Sequence, residues 1–383
     1  PPIIDFISEI NSTLENSNVT ISGNSRNQVA LAGNNKIQVY QIENNGSIRL
    51  ITTIDRPIQA STSFANQIVL ADDFLLVGDS HFEHEKCYVY NVGLQQSEIT
   101  LVDSVPFFSG SISPLCHGRD FVVPNPPLNY TGYGPYDLDF INIYRYEENM
   151  TISLVTSLTL PSATEVLGDI SNDPRGELDT SRHYNTFRDF SLHNGVLAMN
   201  YGAQFRNANT ITNSSYVVRM SIDQNRILSV HEPSGPSAHA FWVMDDDQLI
   251  VYHTNEAEYY TYRSFVDIFR LSDGNRTTIR NTPGSHEYLS GMQSSMKLDS
   301  NNSLLYTVSG TSDEDGVMLS GRTISISTPL SSSSTVISQY PSTSGKFALT
   351  ENFFVTLDND TSQNLQNYPQ TNFVLRVYPK VAN

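Results

Sequence analysis

Cysteine and tryptophan are nearly absent from this 383-residue chain, which has two of the first and one of the second. Two cysteines, Cys87 and Cys116, make no disulfide framework, although a single oxidised pair is permissible in a secreted protein. Charge is also scarce. Only 16% of residues are Asp, Glu, Lys or Arg, and 22 basic side chains face 40 acidic ones, for a net charge of −18. Such a chain repels a phosphate backbone and an anionic membrane surface alike, so nucleic-acid and lipid binding are disfavoured. No run of about 18 apolar residues occurs, which argues against membrane insertion. The Pro-Pro start, without a Met or an apolar h-region, suggests that any leader has been removed or was not included. No G-x-S-x-G nucleophile elbow, phosphate-binding loop or dinucleotide fingerprint is present. With no catalytic motif the chain is not expected to be an enzyme, and no cofactor is expected.

What the chain does have is one strand pattern that returns seven times: KIQVYQI (36–42), KCYVYNV (86–92), FINIYRY (140–146), YVVRMSI (216–222), FVDIFRL (265–271), RTISIST (322–328) and VLRVYPK (374–380). Aligning Tyr40, Tyr90, Tyr144, Arg219, Phe269, Ser327 and Tyr378 gives spacings of 50, 54, 75, 50, 58 and 51. Self-similarity at about 50 residues signals a repeat architecture with room for four short strands per unit. Polar turns such as HNG (193–195), DDDQ (245–248) and TEN (350–352) join pairs of apolar strands ahead of each repeat, the chemistry of a hairpin. The predicted fold is therefore all-β, a seven-bladed β-propeller of four-stranded antiparallel blades in a single domain over 1–383. Its blades fall at about 17–55, 60–106, 113–160, 186–233, 239–282, 293–341 and 345–380. The last unit lacks a fourth strand, and PIIDFISEI (2–10) lacks a blade. The N-terminal segment is predicted to complete the last blade and close the ring, since closure removes exposed edges. In this arrangement Cys87 and Cys116 lie too far apart to bridge and are read as two free, buried thiols.

SFANQIVLADDFLLVGDS (63–80) followed by KCYVYNV resembles the FG-GAP repeat of integrin α-type propellers, and TFRDFSLHNGVLAMNYGA (186–203) echoes it. The resemblance covers most of the chain in outline and implies the same propeller. The D-x-D-x-D-G-x-x-x-D calcium loop and the Phe-Gly pair of that family are missing here, so the resemblance implies neither calcium nor integrin-like ligands.

Candidate sites fall in the connections. The second-to-third-strand loops are long and rich in Tyr, Asn and Gly, a composition suited to recognition. They supply Tyr130, Tyr133, Tyr136, Tyr259, Tyr260, Tyr262 and Tyr368 as binding candidates. The 161–187 connection is the longest and is expected over the channel mouth. It carries Asp169, Asp173, Arg175, Glu177, Asp179, Arg182 and His183, though no spacing among them singles out an acid–base pair. His81 and His84 invite a metal reading, but their spacing suits a helix and this segment reads as a loop with no third ligand. TSDEDG (311–316) and DNDTSQN (358–364) lack the alternating ligands of a calcium loop, and no metal is expected. His239 and His286 are read as histidines bonded to neighbouring loop backbone.

Nine N-x-Ser/Thr sequons occur, at Asn11, Asn18, Asn45, Asn129, Asn149, Asn213, Asn275, Asn301 and Asn359. Composition alone would supply about seven, so it is their placement in turns and at strand edges that points to glycosylation. The expected function is that of a secreted, extracellular or cell-surface glycoprotein: a structural or adhesive module that binds copies of itself in a filament or surface layer, or another extracellular glycoprotein or glycan. A propeller lectin is the alternative, with a polysaccharide-cleaving enzyme behind it.

Overall fold

A computed structural model of the chain describes residues 5–15, 19–33, 35–79, 86–92, 99–106, 114–124, 140–179, 186–208, 210–233, 239–257, 261–280, 296–299, 301, 304–309, 322–327, 336–342, 344–359 and 372–380. They form antiparallel sheets with one five-residue helix. Strand β1 (Ser8–Glu15) comes first and is set apart from the strands that follow it. The next sheet is β2 (Thr20–Gly23), β3 (Gln28–Gly33), β4 (Lys36–Ile42) and β5 (Ile48–Asp55), hydrogen-bonded in that order. Then come β6 (Phe64–Leu70), β7 (Phe74–Asp79), β8 (Lys86–Asn91) and β9 (Thr100–Pro106), and after them β10 (Leu115–His117), β11 (Asp120–Pro124), β12 (Phe140–Tyr146) and β13 (Ile152–Thr159).

Helix α1 (Ala163–Leu167) precedes a five-stranded sheet of β14 (Glu177–Leu178), β15 (Thr186–His193), β16 (Val196–Asn207), β17 (Thr210–Ser221) and β18 (Arg226–His231). Four-stranded sheets follow in β19 (His239–Met244), β20 (Gln248–Ala257), β21 (Thr261–Arg270) and β22 (Arg276–Arg280), and in β23 (Met296–Asp299), β24 (Leu304–Ser309), β25 (Arg322–Ser327) and β26 (Val336–Ser342). The last sheet is β27 (Lys346–Leu349), β28 (Phe353–Asn359) and β29 (Asn372–Pro379), with β1 as its fourth strand. Each of the seven recurring segments is the third strand of its sheet.

The strand periodicity follows from what covers each strand. β3 (QVALAG) and β7 (FLLVGD) are buried along their whole length, so both of their faces are packed and they read as continuous apolar runs. The outermost strands, in contrast, leave much of their length exposed: β5 and β9 expose Leu50 and Leu101, along with Arg49 and Asp103. Each fully buried Leu or Val in the central strands contributes about 1.5–3 kcal/mol.

The chain divides into two compact units. The first holds Pro1–Phe107, Tyr146–Thr151 and His286–Asn383. Within it consecutive sheets abut: β2 and β3 against β6, β2 against β27, and β26 against β28. One core cluster joins Leu14, Val29, Leu31 and Tyr40 to Val355, Leu375 and Val377, so the first and last sheets share a hydrophobic interior. The second unit holds Phe108–Arg145 and Ile152–Ser285, with β10 against β15 and β15 against β19. Its main cluster runs from Val122, Ile141 and Leu158 to Leu197, Phe205 and Val218.

The N-terminal strand pairs with β29 as expected. Among the described residues the pairing runs from Ser8 opposite Val377 to Glu15 opposite Asn372, with a bulge between Asn11 and Glu15, so it overlaps the expected 2–10 segment at 8–10 and continues beyond it. An outer strand needs only alternate residues turned inward. Ser12 and Leu14 supply them, Leu14 in the core and Ser12 donating to Gln38 Oε1 at 2.9 Å.

The 161–187 connection is not a bare loop. Ser162 caps α1 in a capping box with Glu165, and Gly168 ends the helix. The chain then returns as β14, pairing Glu177 with Arg206 and Leu178 with Phe205. β15 covers β16 from Val196 to Gly202, so β14 continues that edge beyond it.

Candidate functional site

Among the second-to-third-strand connections, the hairpin of β16 and β17 is described nearly to its tip. Twelve residues in each strand, paired from Val196–Ser221 to Asn207–Thr210, carry it well past β15 and β18. The returning segment 169–179 packs on this extension, and Arg175 is its centre. Its guanidinium donates from Nε and Nη2 to the two carboxylate oxygens of Asp173 at 2.9 and 2.7 Å. Nη1 donates to Ser214 Oγ at 3.0 Å and Tyr216 Oη at 2.5 Å, with Glu232 at 3.6 Å. The guanidinium carbon lies 4.0 Å from the centre of the Phe205 ring, a cation–π stack.

The fork–fork geometry holds the Asp173 carboxyl below the usual carboxylate range and the Arg175 guanidinium above its own, while burial raises the Tyr216 phenol. A few residues on, Asp179 N–H donates to the Gln204 carbonyl at 2.8 Å and its carboxylate pairs with Arg206 at 2.8 Å. Between these pairs is a shallow cavity of about 450 Å3 lined by Asp173, Pro174, Gly176, Glu177, Arg206, Asn207 and Ala208. A carboxylate fixed as an anion by a bidentate arginine makes a poor proton donor, so this basin suits polar recognition better than acid–base chemistry. Phe205 and Tyr216 lie beneath Arg175 and offer no open ring for a sugar to stack on.

Of the other charged residues read in this connection, Asp169 accepts from its own turn at Ser171 N and Glu177 sits on β14, while Arg182 and His183 lie outside the described residues. The tyrosine candidates Tyr130, Tyr133, Tyr136, Tyr259, Tyr260 and Tyr368 also lie outside them, as do His81, His84, His286 and the 311–316 segment. Tyr262 is on β21 opposite Glu256, and His239 begins β19. From the 358–364 segment, Asp358 is buried and tied to Arg376 and Thr356. No group of three or more His, Cys, Asp or Glu placed for a metal occurs among the described residues, and none of their helices is long and apolar enough to cross a membrane. Cys87 and Cys116 form no disulfide with each other; Cys116 is half-buried rather than buried as expected, and burial pushes the Cys87 thiol up to about 12.

Six of the sequon asparagines among the described residues are open. Asn11, Asn45, Asn149, Asn213, Asn275 and Asn301 are exposed, and Asn359 ends β28. Asn18 and Asn129 lie outside the described residues.

One constellation went unread in the sequence. Within each unit, first-to-second-strand turns bond to the turn of a neighbouring sheet. Ser25 donates from N and Oγ to Asp72, and Arg26 reaches the Asp72 carbonyl and the Asp73 carboxylate. Asn27 accepts from Thr350 Oγ1 and Asn352 N–H, both at 3.0 Å. In the second unit Asn194 donates from N to His117 Nδ1 and from Nδ2 to Asp246, which also pairs with His193 at 3.2 Å. The His117 and His193 rings are 4.5 Å apart, and burial followed by the neighbouring ring lowers the His117 pKa. The signal was the run of Asp and Asn in these turns, which sequence reasoning assigned to turn formation alone.

No family model matches the chain, and no curated protein sequence matches it. Among solved structures it resembles a chain of the "Crystal Structure of Mitotic Checkpoint Complex", a β-propeller of WD40 type. The likeness has a TM-score of 0.56 at 12% identity and covers 100% of this chain and 96% of that one. At that identity it shows the fold alone, and the fold is a β-propeller.

Proposed function

We propose that the seven sheets are the blades of one ring closed by β1 on β29, a degenerate FG-GAP-like propeller. On this reading the ring is a secreted structural or adhesive glycoprotein that assembles with further copies of itself. Its loops would supply contacts to other extracellular glycoproteins or glycans. The observation that carries the assembly reading is β13. Sheet edges in natural proteins are guarded by charge, proline or a bulge, because an unguarded edge pairs with another chain. Each other outermost strand among the described residues has such a guard: Arg49 and Asp55 in β5, Asp103 in β9, Arg226 in β18, Arg276 in β22, Pro341 in β26 and Glu9 in β1. β13 (ISLVTSLT) is eight residues without a charge or a proline, and it exposes Leu154 at 54% and Val155 at 40%. A second copy can extend this edge as an additional strand.

An enzymatic reading draws little support from the 161–187 connection, whose Asp173, Arg175 and Asp179 are taken up in ion pairs. The assembly reading is tested by light scattering of the glycosylated, secreted protein over a range of concentrations, beside Leu154→Lys. Masses above one chain that fall to one chain in the variant are expected, with the thermal midpoint unchanged. A single-chain mass for the unaltered protein at every concentration would overturn the proposal.

A further inference from the structure

Two sequons occupy the same turn in two different sheets. Between β4 and β5 the chain reads Glu43-Asn44-Asn45-Gly46-Ser47, and between β12 and β13 it reads Glu147-Glu148-Asn149-Met150-Thr151. Glu43 N–H donates to the Ser47 carbonyl and Gly46 N–H to the Glu43 carbonyl, both at 2.8 Å. Glu147 N–H donates to the Thr151 carbonyl at 2.9 Å and Met150 N–H to the Glu147 carbonyl at 3.0 Å. The fourth residue is left-handed in each, with φ of 82° at Gly46 and 61° at Met150. A non-glycine residue in that region is uncommon and is tolerated at Met150 because the turn shape demands it.

In both turns the asparagine is exposed and its carbonyl oxygen faces the sequon hydroxyl. Ser47 Oγ donates to Asn45 Oδ1 at 2.7 Å and Thr151 Oγ1 to Asn149 Oδ1 at 2.6 Å. Among the described residues the amide nitrogen of each has no hydrogen-bond partner. Asn275 differs, because its Nδ2 donates to Asp273 at 2.8 Å. A glycan on Asn45 or Asn149 would therefore extend from an exposed tip without breaking any contact of the fold.

We propose that Asn45 and Asn149 are N-glycan acceptor sites; this rests on the secretory reading above. The co-reactant is a polyprenyl-diphosphate-linked oligosaccharide, supplied to the chain by a membrane-bound transferase. Nδ2 attacks the anomeric carbon of the first sugar, the N-glycosidic bond forms, and the bond from that carbon to the diphosphate oxygen breaks. The lipid diphosphate leaves with the electron pair and one amide proton passes to a base of the transferase. Both sites lie at third-to-fourth-strand turns. Each glycan thus stands at the end of its sheet opposite the second-to-third-strand connections, and leaves those loops uncovered for recognition.

The test is secretion of the full chain from a eukaryotic cell, followed by glycopeptide mapping after enzymatic deglycosylation that converts each occupied Asn to Asp. Glycan is expected on the Asn45 and Asn149 peptides, with one glycan lost in each of Asn45→Gln and Asn149→Gln. Ser47→Ala and Thr151→Ala, which keep the asparagine, should lose the same glycans. A secreted protein glycosylated only at other sequons would overturn the inference and leave the secretory reading standing. A chain retained in the cell, or secreted without any glycan, would overturn both.

Discussion

Gly176 shows how a single residue sets the shape of the candidate site. Its φ of +109° is open only to glycine, and a Cβ there would overlap the Arg206 carbonyl oxygen on β16. Gly176→Ala should push β14 off β16, costing about 1–3 kcal/mol and loosening the basin beside the Arg175–Asp173 pair. Urea unfolding reads the stability loss, and hydrogen exchange at Asp179 N–H, bonded to the Gln204 carbonyl, reads the local opening. His231 carries a second prediction. Burial, reinforced by Arg219, lowers its pKa from 6.5 to about 4, so the folded state holds it neutral against Phe269, 4.7 Å away. Below 6.5 the unfolded chain binds a proton that the folded chain refuses, so stability falls as pH drops from about 6.5 to about 4 and is level above that window. The loss is on the order of 2 kcal/mol after allowance for solvent screening. The urea midpoint should fall between pH 7 and pH 4.5, and His231→Gln should flatten that slope; an unchanged slope in the variant would assign the effect to other groups.

At the scale of elements, the strands with packed neighbours were legible and those without were not. All seven third strands, and the fourth strands from β5 to β26, stand out because β-branched and aromatic residues recur there at strand spacing. β14 was not legible, since its two residues, Glu177 and Leu178, carry no period and owe their conformation to the overlong β16. α1 was missed although Ser162 and Glu165 spell a capping box, because five residues show little helical periodicity. β1 is weakly marked in the sequence because SEINSTLE turns Ile10, Ser12 and Leu14 inward and so shows little apolar alternation beside the apolar run at 2–10. Leu14, 2% exposed, lies in the core shared by the first and last sheets. Leu14→Ala should cost about 2–5 kcal/mol and raise exchange rates along β1 and β29 together. Faster exchange confined to β1 would mean that β29 does not depend on its partner.

For the whole molecule, the repeat was written plainly and the purpose was not. A repeat must satisfy the same packing in every unit, so its strands converge on one pattern. The loops carry no such constraint, and the tyrosines at 130–136 and 259–262 differ from unit to unit. On the proposed reading the recognition chemistry is spread over dissimilar loops, while the edge that would join copies is a short uncharged strand that looks like any other. An edge that pairs with a different surface of the next copy makes a heterologous contact, which continues into a filament unless the rotation closes it. The measurement that tests this most directly is cryo-electron imaging of the secreted, glycan-intact protein beside Leu154→Lys. The account predicts extended assemblies with a regular repeat for the unaltered chain and dispersed single particles for the variant; dispersed particles for both would contradict it.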